Sequence, residues 1–357
     1  MATVRPPEAH RVLVTGGCGF IGSELVRRLV GDGVEVLNVD ALTYAGVPAN
    51  VAAVEGAPNY SFLHADIRDG AAMARAIASF EPDAVMHLAA ESHVDRSIDD
   101  PLDFLSTNVI GTAALLRAAT DWVRGRGDAA RDAFRFVHIS TDEVYGAPGA
   151  EGHFTEDSAV EPNSPYAASK ASSDLMARAW MKTWHLPVVI CRSSNNFGPH
   201  QFPEKLIPRT LISGLEGKPI EVYARGENVR DWVYVGDNVD ALVTVLVRGE
   251  PGRTYNIGAD NERRNIDLVR DICALLDELA PRPRGSAADL ITFVSDRPGH
   301  DFRYAIDNSR LVGELGWRPA TDPAEGLRRT VRWYLDNPDW WRPLLSGVYD
   351  GRRLGLG

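Results

Sequence analysis

The 357-residue sequence holds only three cysteines, Cys18, Cys191 and Cys273. They are odd in number, far apart and without metal-ligand spacing, which excludes a disulfide framework or a cysteine-built zinc site. Cys191 and Cys273 sit in apolar segments, where a free buried thiol is expected, and this usage points to a reducing, cytoplasmic setting. No apolar run reaches the length that spans a bilayer. Met1 to His10 has no signal-peptide h-region and is expected to be a short flexible leader. Basic residues are outnumbered, with 38 Lys and Arg against 49 Asp and Glu and a net charge of −11. A duplex nucleic-acid binder needs a basic face that this balance does not supply, although a few converging Arg and Lys can still hold a small anion. Internal repeats and low-complexity tracts are also missing.

What is present is an alternation. Short β-rich runs at Arg11 to Gly16, Val34 to Asp40, Tyr60 to Asp66, Asp83 to Ala90, Phe134 to Ser140 and Leu186 to Arg192 are separated by helical patterns. The helical patterns run from Gly22 to Gly33, Gly70 to Phe80, Leu102 to Arg124 and Tyr166 to Trp184. Apolar strands alternating with helices predict an α/β fold, a Rossmann-type doubly wound parallel sheet covered on both faces. The polar stretch Arg124 to Ala133 reads as a surface loop. After Asn196 the pattern loosens around Gly198, Pro199, Pro203 and Pro208. A strand plus helix at Arg230 to Gly249 is expected to rejoin the first unit, and Arg263 to Leu279 reads as an amphipathic helix. The division expected is a dinucleotide-binding domain at 11–196, rejoined by about 231–250, and a smaller C-terminal α/β domain at 197–230 and 251–345.

The first strand runs into "VTGGCGFIG". Gly17, Gly19 and Gly22 satisfy G-x-G-x-x-G, and Gly16, Gly19 and Gly22 the wider G-x-x-G-x-x-G. Glycines at a strand–turn–helix junction allow a pyrophosphate to approach a helix N-terminus closely. Asp40 ends the second strand, 18 residues after Gly22. A carboxylate there suits the ribose hydroxyls of NAD and repels the extra phosphate of NADP. Asp66 ends the third strand, where it either reaches the adenine or caps the next helix. Small residues in "LAAES", Leu88 to Ser92, let a cofactor lie against the backbone.

Tyr166 and Lys170 in "SPYAASK" are four apart and share a helix face. Lys170 can lower the Tyr166 pKa through its charge and hold a nicotinamide ribose. At a neighbouring strand end, "RFVHISTDEVYG" places Thr141, Asp142 and Glu143 in a row. Two adjacent carboxylates at a buried strand end push one pKa upward, which suits an acid and a base working side by side. Without the remaining constellation, the same pair would read as a solvated turn.

Taken in order, "TGGCGFIG", "LAAESHVDRSI", "ISTDEVYG", "YAASK", "SNNFGPHQFPEKLIP", "RDWVYV", "YNIG" and "DRPGHDFRYAID" resemble the extended short-chain dehydrogenase/reductases that act on nucleotide sugars. Within that family the similarity is to the dTDP-glucose 4,6-dehydratases, from about Arg11 to the "NPDWWRPL" near the C-terminus. The resemblance implies NAD as cofactor and dTDP-glucose as substrate. It implies that Tyr166, with Thr141 and Lys170, takes the C4 hydroxyl proton while hydride passes to NAD. Glu143 then removes the C5 proton, Asp142 protonates the departing C6 hydroxyl, and hydride returns to C6. It further assigns Gly16, Gly19, Phe20, Ile21, Gly22, Asp40, Leu42, Thr43, Asp66, Ile67, Leu88, Ala89, Ala90, Ser92, Thr107, Tyr166, Lys170 and Asn196 to the cofactor.

Around the nucleotide sugar it places Ser92, Thr141, Asp142, Glu143, Asn195, Lys205, Leu206, Tyr223, Arg230, Asn265, Arg297 and His300. Lys205, Arg230 and Arg297 have an independent reason to be there, because a diphosphate needs cations. Tyr223 either borders the base or packs in a strand, and His93 is a polar packing residue. The sequence departs from the family at Ala167, where Ser is common, at Phe197, where Tyr is common, and at Gly236, where a carboxylate is common. A homodimer is implied through the two long helices, with Leu115, Leu116, Leu175 and Met176 as candidate contacts. The competing activities are a UDP-glucose 4,6-dehydratase, which uses the same carboxylates, and a 4-epimerase or UDP-glucuronate decarboxylase, neither of which needs the Asp–Glu pair. A cofactor-sensing regulator would be expected to lack Tyr166, Lys170 or Glu143.

Overall fold

The computed structural model describes residues 10–149 and 151–347; all of the expected leader but His10 lies outside them. In chain order the strands are β1 (Arg11–Thr15), β2 (Glu35–Asp40), β3 (Tyr60–His64), β4 (Ala84–His87), β5 (Arg135–Thr141), β6 (Val188–Ser193), β7 (Asn195–Phe197), β8 (Ile220–Tyr223), β9 (Val229–Tyr234), β10 (Thr254–Ile257), β11 (Glu262–Arg264) and β12 (Ile291–Val294). Seven of them form one sheet in the order β10-β6-β5-β4-β1-β2-β3. Every neighbouring pair in it is parallel. Such strands carry side chains into covered faces on both sides, which is why β4 and β6 are buried along their whole length. On one face the helices Phe20–Gly31 and Val235–Arg248 pack through Leu25, Leu29, Leu242 and Leu246. On the other, Gly70–Phe80, Thr112–Arg124 and Pro165–Trp184 pack through Met73, Ile77, Leu115, Leu116 and Ala177.

A separate core gathers Ile207, Leu211, Trp232, Val269, Ile272, Leu276, Val331 and Tyr334. It joins the helices Leu206–Glu216, Asn265–Leu279 and Pro323–Asp336 to a three-stranded sheet, β11-β9-β7. β8 and β12 pair alongside in parallel.

Several expectations change. Arg124 to Ala133 is not all loop: Asp128–Ala133 forms a short helix started by Asp128. In the segment expected to rejoin the large sheet, β9 instead pairs with β7 and β11, and only the following helix returns to the large sheet's core. The strand that does join the sheet is β10, beside β6, in a stretch assigned by sequence to the second domain. It follows its helix by too few residues to show a period of its own. The expected helix Leu102 to Arg124 begins at Pro101 and passes through a π-helical stretch, Leu105–Gly111.

That π stretch matters for the site. It turns Asn108 inward, where Nδ2 donates to Glu91 O at 2.9 Å and to Ser169 Oγ at 2.8 Å, while Oδ1 accepts from Glu91 N at 2.9 Å. The end of β4 is thereby tied to the helix that carries Tyr166 and Lys170.

The turn after β1 is equally constrained. Gly16 has φ +74°, and a Cβ there would lie 2.7 Å from Ala89 N. A Cβ on Gly22 would lie 2.1 Å from Gly16 O. Gly22→Ala is therefore expected to cost about 1–3 kcal/mol of unfolding free energy through overpacking. Gly31→Ala, at a helical position with open space around its Cβ, is expected to gain ~0.5–1 kcal/mol. Urea denaturation of the two variants checks both signs.

Candidate active site

The C-terminal ends of β1, β2, β4, β5 and β6 open onto one cleft, as expected for a parallel sheet. Its walls include Gly16, Gly19, Phe20, Ile21, Gly22, Asp40, Thr43, Asp66, Ile67, Leu88, Ala89, Ala90, Ser92, Thr107, Tyr166, Lys170 and Asn196. Every residue assigned to the cofactor from sequence is thus in place except Leu42, which turns its side chain to the core beside Phe20–Gly31. That helix begins at Gly19 with no side-chain cap, so its first amides remain available to an anion.

Asp40 is buried, with Oδ2 accepting from Cys18 N and Oδ1 from Leu42 N, each at 2.8 Å. Burial raises its pKa and those two bonds oppose the rise. Asp66 is half-buried. Burial works against its ionisation, but Arg68, donating from Nε at 2.9 Å and Nη2 at 2.6 Å, holds the carboxyl below its ordinary range. The cap of Gly70–Phe80 is supplied by Asp69, which accepts from Ala72 N, leaving Asp66 to face the cleft.

A second cavity adjoins the first. Ser92, Glu143, Asn195, Asn196, Gln201, Glu204 and Lys205 line both. Its other walls bring together Leu206, Tyr223, Arg230, Asn265, Arg297 and His300, all assigned by sequence to the nucleotide sugar. Lys205 Nζ donates to Ser92 O at 2.9 Å. Arg230 is buried, donating to Asp301 O at 2.8 Å and Val229 O at 2.7 Å, with its guanidinium over the Tyr304 ring at 4.1 Å. Asp95 serves as a shared anchor, accepting from Arg297 Nη1 at 2.6 Å and from the Tyr223 hydroxyl at 2.8 Å. His300 bonds Asp296 at 2.6 Å, and burial with the nearby Arg297 pulls its pKa down to about 4. His93 is buried and its ring accepts from Arg96 N, in keeping with a packing role. Among the buried side-chain atoms without a hydrogen-bond partner are Asn195 Oδ1, Asn196 Oδ1, Asn265 Oδ1 and Arg297 Nε. These donors and acceptors suit a polar ligand better than an apolar one.

At the seam between the cavities stand Thr141, the last residue of β5, and Asp142 and Glu143, the first two of the short turn after it. Thr141 Oγ1 caps the short helical turn that follows, accepting from Glu143 N at 3.3 Å, and donates to Asp142 Oδ1 at 3.3 Å. Asp142 is 2 % exposed, and Oδ2 is buried with no partner. Burial, then the charge of Glu143, raises its pKa well above the carboxylate range, Arg230 only partly opposing. Glu143 is half-buried, and burial raises its pKa too, against the pull of Arg297, Arg230 and Lys205. The two neighbours therefore differ in kind. One sits in a dry pocket with a free oxygen, the other faces three cations.

Ser164 accepts from Ala167 N, and Pro165 opens the helix that presents Tyr166. Burial and Glu143 raise the Tyr166 pKa, while a hydrogen bond with Thr141 lowers it. Lys170, one turn on, donates to Ile139 O at 2.7 Å. Burial brings its pKa down to about 8, with Asp174 resisting. Asp174 is in turn held by Arg192 at 2.9 Å and His138 at 3.2 Å.

Several site residues escape a reading by motif. Tyr304 donates to Asp301 Oδ2 at 2.8 Å and lies 3.3 Å from Glu143 Oε2. Asp95 and Tyr304 both lie within quoted motifs, yet as an isolated Asp and Tyr they carry no spacing that marks a site. Gln201 and Glu204 fall in the proline-punctuated stretch, where no period places them. The departures from the family pattern are accommodated locally. Ala167 is buried with its amide in the helix cap, Phe197 packs edge-on against Tyr234, and Gly236 lies beside the Tyr234 ring.

Comparison with known proteins agrees with this geometry. The family model described as GDP-mannose 4,6 dehydratase matches residues 13–330. A probable dTDP-glucose 4,6-dehydratase of Sinorhizobium fredii is 54% identical over 346 residues, covering 97% of this chain and 99% of the relative. The dTDP-glucose 4,6-dehydratase of Neisseria meningitidis is 51% identical over 353 residues, covering 98% and 99%. Among solved structures, the dTDP-glucose 4,6-dehydratase DesIV from Streptomyces venezuelae, with NAD bound, superposes with a TM-score of 0.86 at 46% identity, covering 94% of this chain and 99% of that one. With half its residues shared across nearly its full length, and with this fold, the chain belongs to the dTDP-glucose 4,6-dehydratases of the extended short-chain dehydrogenase/reductase family.

Proposed function

We propose that the protein is an NAD-dependent hydro-lyase that converts dTDP-glucose to dTDP-4-keto-6-deoxyglucose. The observation that carries this reading is the pairing of a buried Asp142, one oxygen free, with a cation-facing Glu143, beside Tyr166 and at the seam of the two cavities.

The cleft fits the dinucleotide. Gly16 and Gly22 keep the turn bare, the uncapped helix at Phe20 suits the pyrophosphate, Asp40 suits a ribose diol, and Lys170 and Thr107 line the same cleft. When bound, NAD supplies a reversible two-electron oxidation, so that the reaction starts and ends with the same cofactor state. The chain's own residues manage the protons. Tyr166, bonded to Thr141, takes the proton of the sugar C4 hydroxyl, and the Lys170 ammonium favours the tyrosinate. Ketone formation at C4 acidifies C5. Glu143, kept ionisable by Lys205, Arg230 and Arg297, removes the C5 proton. Asp142 gives its proton to the C6 hydroxyl, which leaves as water, and Glu143 gives a proton back to C5 as the C5=C6 bond takes up the hydride at C6. Lys205, Arg230, Arg297 and the uncapped helix at Leu206 support the adjoining cavity as the diphosphate site, with Tyr223 assigned to border the base.

The division of labour proposed is a dinucleotide-binding unit around the seven-stranded sheet and a nucleotide-sugar unit around the third core. A cytoplasmic setting is in keeping with three buried free cysteines; among the described residues, no helix is long and apolar enough to cross a membrane. A homodimer is also proposed, with a change in its contacts. Leu115 and Leu116 are fully buried in the chain's own core and Met176 packs against it, whereas Leu102, Ile110 and Leu175 are exposed by 73%, 61% and 57% on adjoining helices.

Incubation with dTDP-glucose in deuterated water is expected to give a product lighter by one water, with deuterium at C5, and UDP-glucose is expected to be the poorer substrate. Glu143→Gln should lower both turnover and C5 labelling by about 100-fold or more. Full labelling in that variant would refute the base assignment.

The pH profile follows from the same groups. Activity is expected to rise as Glu143 ionises and to fall as Asp142 and Lys170 lose their protons, Lys170 at about 8. Asp174→Asn removes a charge that raises the Lys170 pKa, so the falling limb should move to lower pH. A limb that stays put would dissociate Lys170 from it.

For the dimer, Ile110→Glu combined with Leu175→Glu is expected to halve the mass seen by light scattering. An unchanged mass would place the interface elsewhere.

A further inference from the structure

The loop after β2 and the segment before Leu206–Glu216 face one another across the cofactor cleft. Thr43, Ala45 and Gly46 of the first and Gln201, Phe202 and Glu204 of the second line it together. Behind that lining the two walls are joined. The Tyr44 hydroxyl donates to Glu204 Oε1 at 3.0 Å, and Arg96 Nε donates to Glu204 Oε2, also at 3.0 Å. The Arg96 guanidinium lies over the Tyr44 ring, 3.8 Å from its centroid, closing a three-residue cycle. Phe202 meets the other side of the contact edge-on to Tyr44 at 5.5 Å and packs with Val47, Trp340 and Leu344. The Glu204 side chain is 1% exposed, so both of its charge-assisted bonds are sheltered from water, where they are strongest.

None of the three residues bonds to Thr141, Asp142, Glu143, Tyr166 or Lys170. Their position instead joins two segments whose neighbouring residues line the cleft meant for the dinucleotide. The loop that carries Tyr44 starts at Asp40, whose Oδ1 holds Leu42 N, and a Cβ on Gly46 would lie 2.7 Å from that same oxygen. A shift of Tyr44 away from Glu204 therefore moves the wall next to the carboxylate suited to the ribose.

We propose that Tyr44, Arg96 and Glu204 form a latch that keeps the cofactor in its cleft throughout the reaction cycle, an inference that rests on the dehydratase reading above. Chemistry explains the need. A reaction with no net redox change must return electrons to the sugar from which it took them. A cofactor lost in between would strand a 4-keto sugar and an enzyme in the wrong oxidation state. An enzyme releasing a reduced cofactor as product has no such requirement.

The test measures exchange rather than turnover. Protein loaded with NAD is desalted, mixed with excess isotope-labelled NAD, and followed by mass spectrometry of the bound nucleotide, with thermal melting as a control of folding. Tyr44→Phe keeps the ring and loses only the bond to Glu204. It is expected to exchange about ten-fold faster or more, as befits one lost bond to a buried charge, with unchanged melting and unchanged turnover at saturating NAD. Arg96→Lys, which keeps the charge but loses the planar stack, should move in the same direction. Exchange at the wild-type rate in both variants overturns the latch while leaving the dehydratase reading intact. Wild-type protein that takes up no NAD overturns that reading and the latch with it.

Discussion

The contrast between Asp142 and Glu143 is the constraint from which the rest of the site follows. Both carboxyls leave water at the end of one strand, and burial alone would protonate both. Separate fates require an asymmetric environment, which the fold supplies from a distance. Lys205, Arg230 and Arg297 come from three segments of the second unit and converge on Glu143. Of these three, Arg230 alone opposes the rise of the Asp142 pKa, while burial and the carboxylates of Glu143 and Asp231 drive it. Adjacent residues in the chain thus differ in electrostatic setting because different parts of the molecule surround them.

That asymmetry places the chemistry at a seam. The parallel sheet delivers Gly16, Asp40, Thr141 and the small residues after β4 to one edge, since all its strands end on the same side. Arg230 comes from β9, Lys205 from the start of the helix Leu206–Glu216, and Arg297 from the segment after β12. Two cross-links hold the halves in register: Asp95, from the first half, pairs with Tyr223 and Arg297, and Glu204, from the second, holds Tyr44 and Arg96. A buried ion pair is costly to form and costly to break on one side, so these links favour a single arrangement over a sliding interface. Within the first half, Asn108 of the π-helical stretch bonds both Glu91 and Ser169 and ties the end of β4 to the helix of Tyr166.

How much of this was legible depended on the range of the interaction. The glycine turn, the strand alternation and the Tyr166–Lys170 pair are local, and local spacing is what a sequence displays directly. β10 was misplaced because four residues between a helix and a turn show no period. The resemblance assigned Leu42 to the cofactor, but its side chain, at a residue with φ +51°, packs against the core. Leu115 and Leu116 looked like interface residues because an amphipathic helix has one apolar stripe whether it faces its own sheet or another chain. Tyr304 and Asp95 carried no motif of their own, and their roles arise from contacts 161 and 128 positions away in sequence.

The sequence by itself determined the fold class, the cofactor class and the presence of an acid, a base and a tyrosine, because each depends on residue type at short spacing. Only the tertiary structure decided which carboxyl is dry and which faces cations, which leucines stay exposed, and that Tyr44 and Arg96 meet Glu204. Those outcomes depend on desolvation and charge from groups distant in the chain, and neither quantity exists until the two units have packed together.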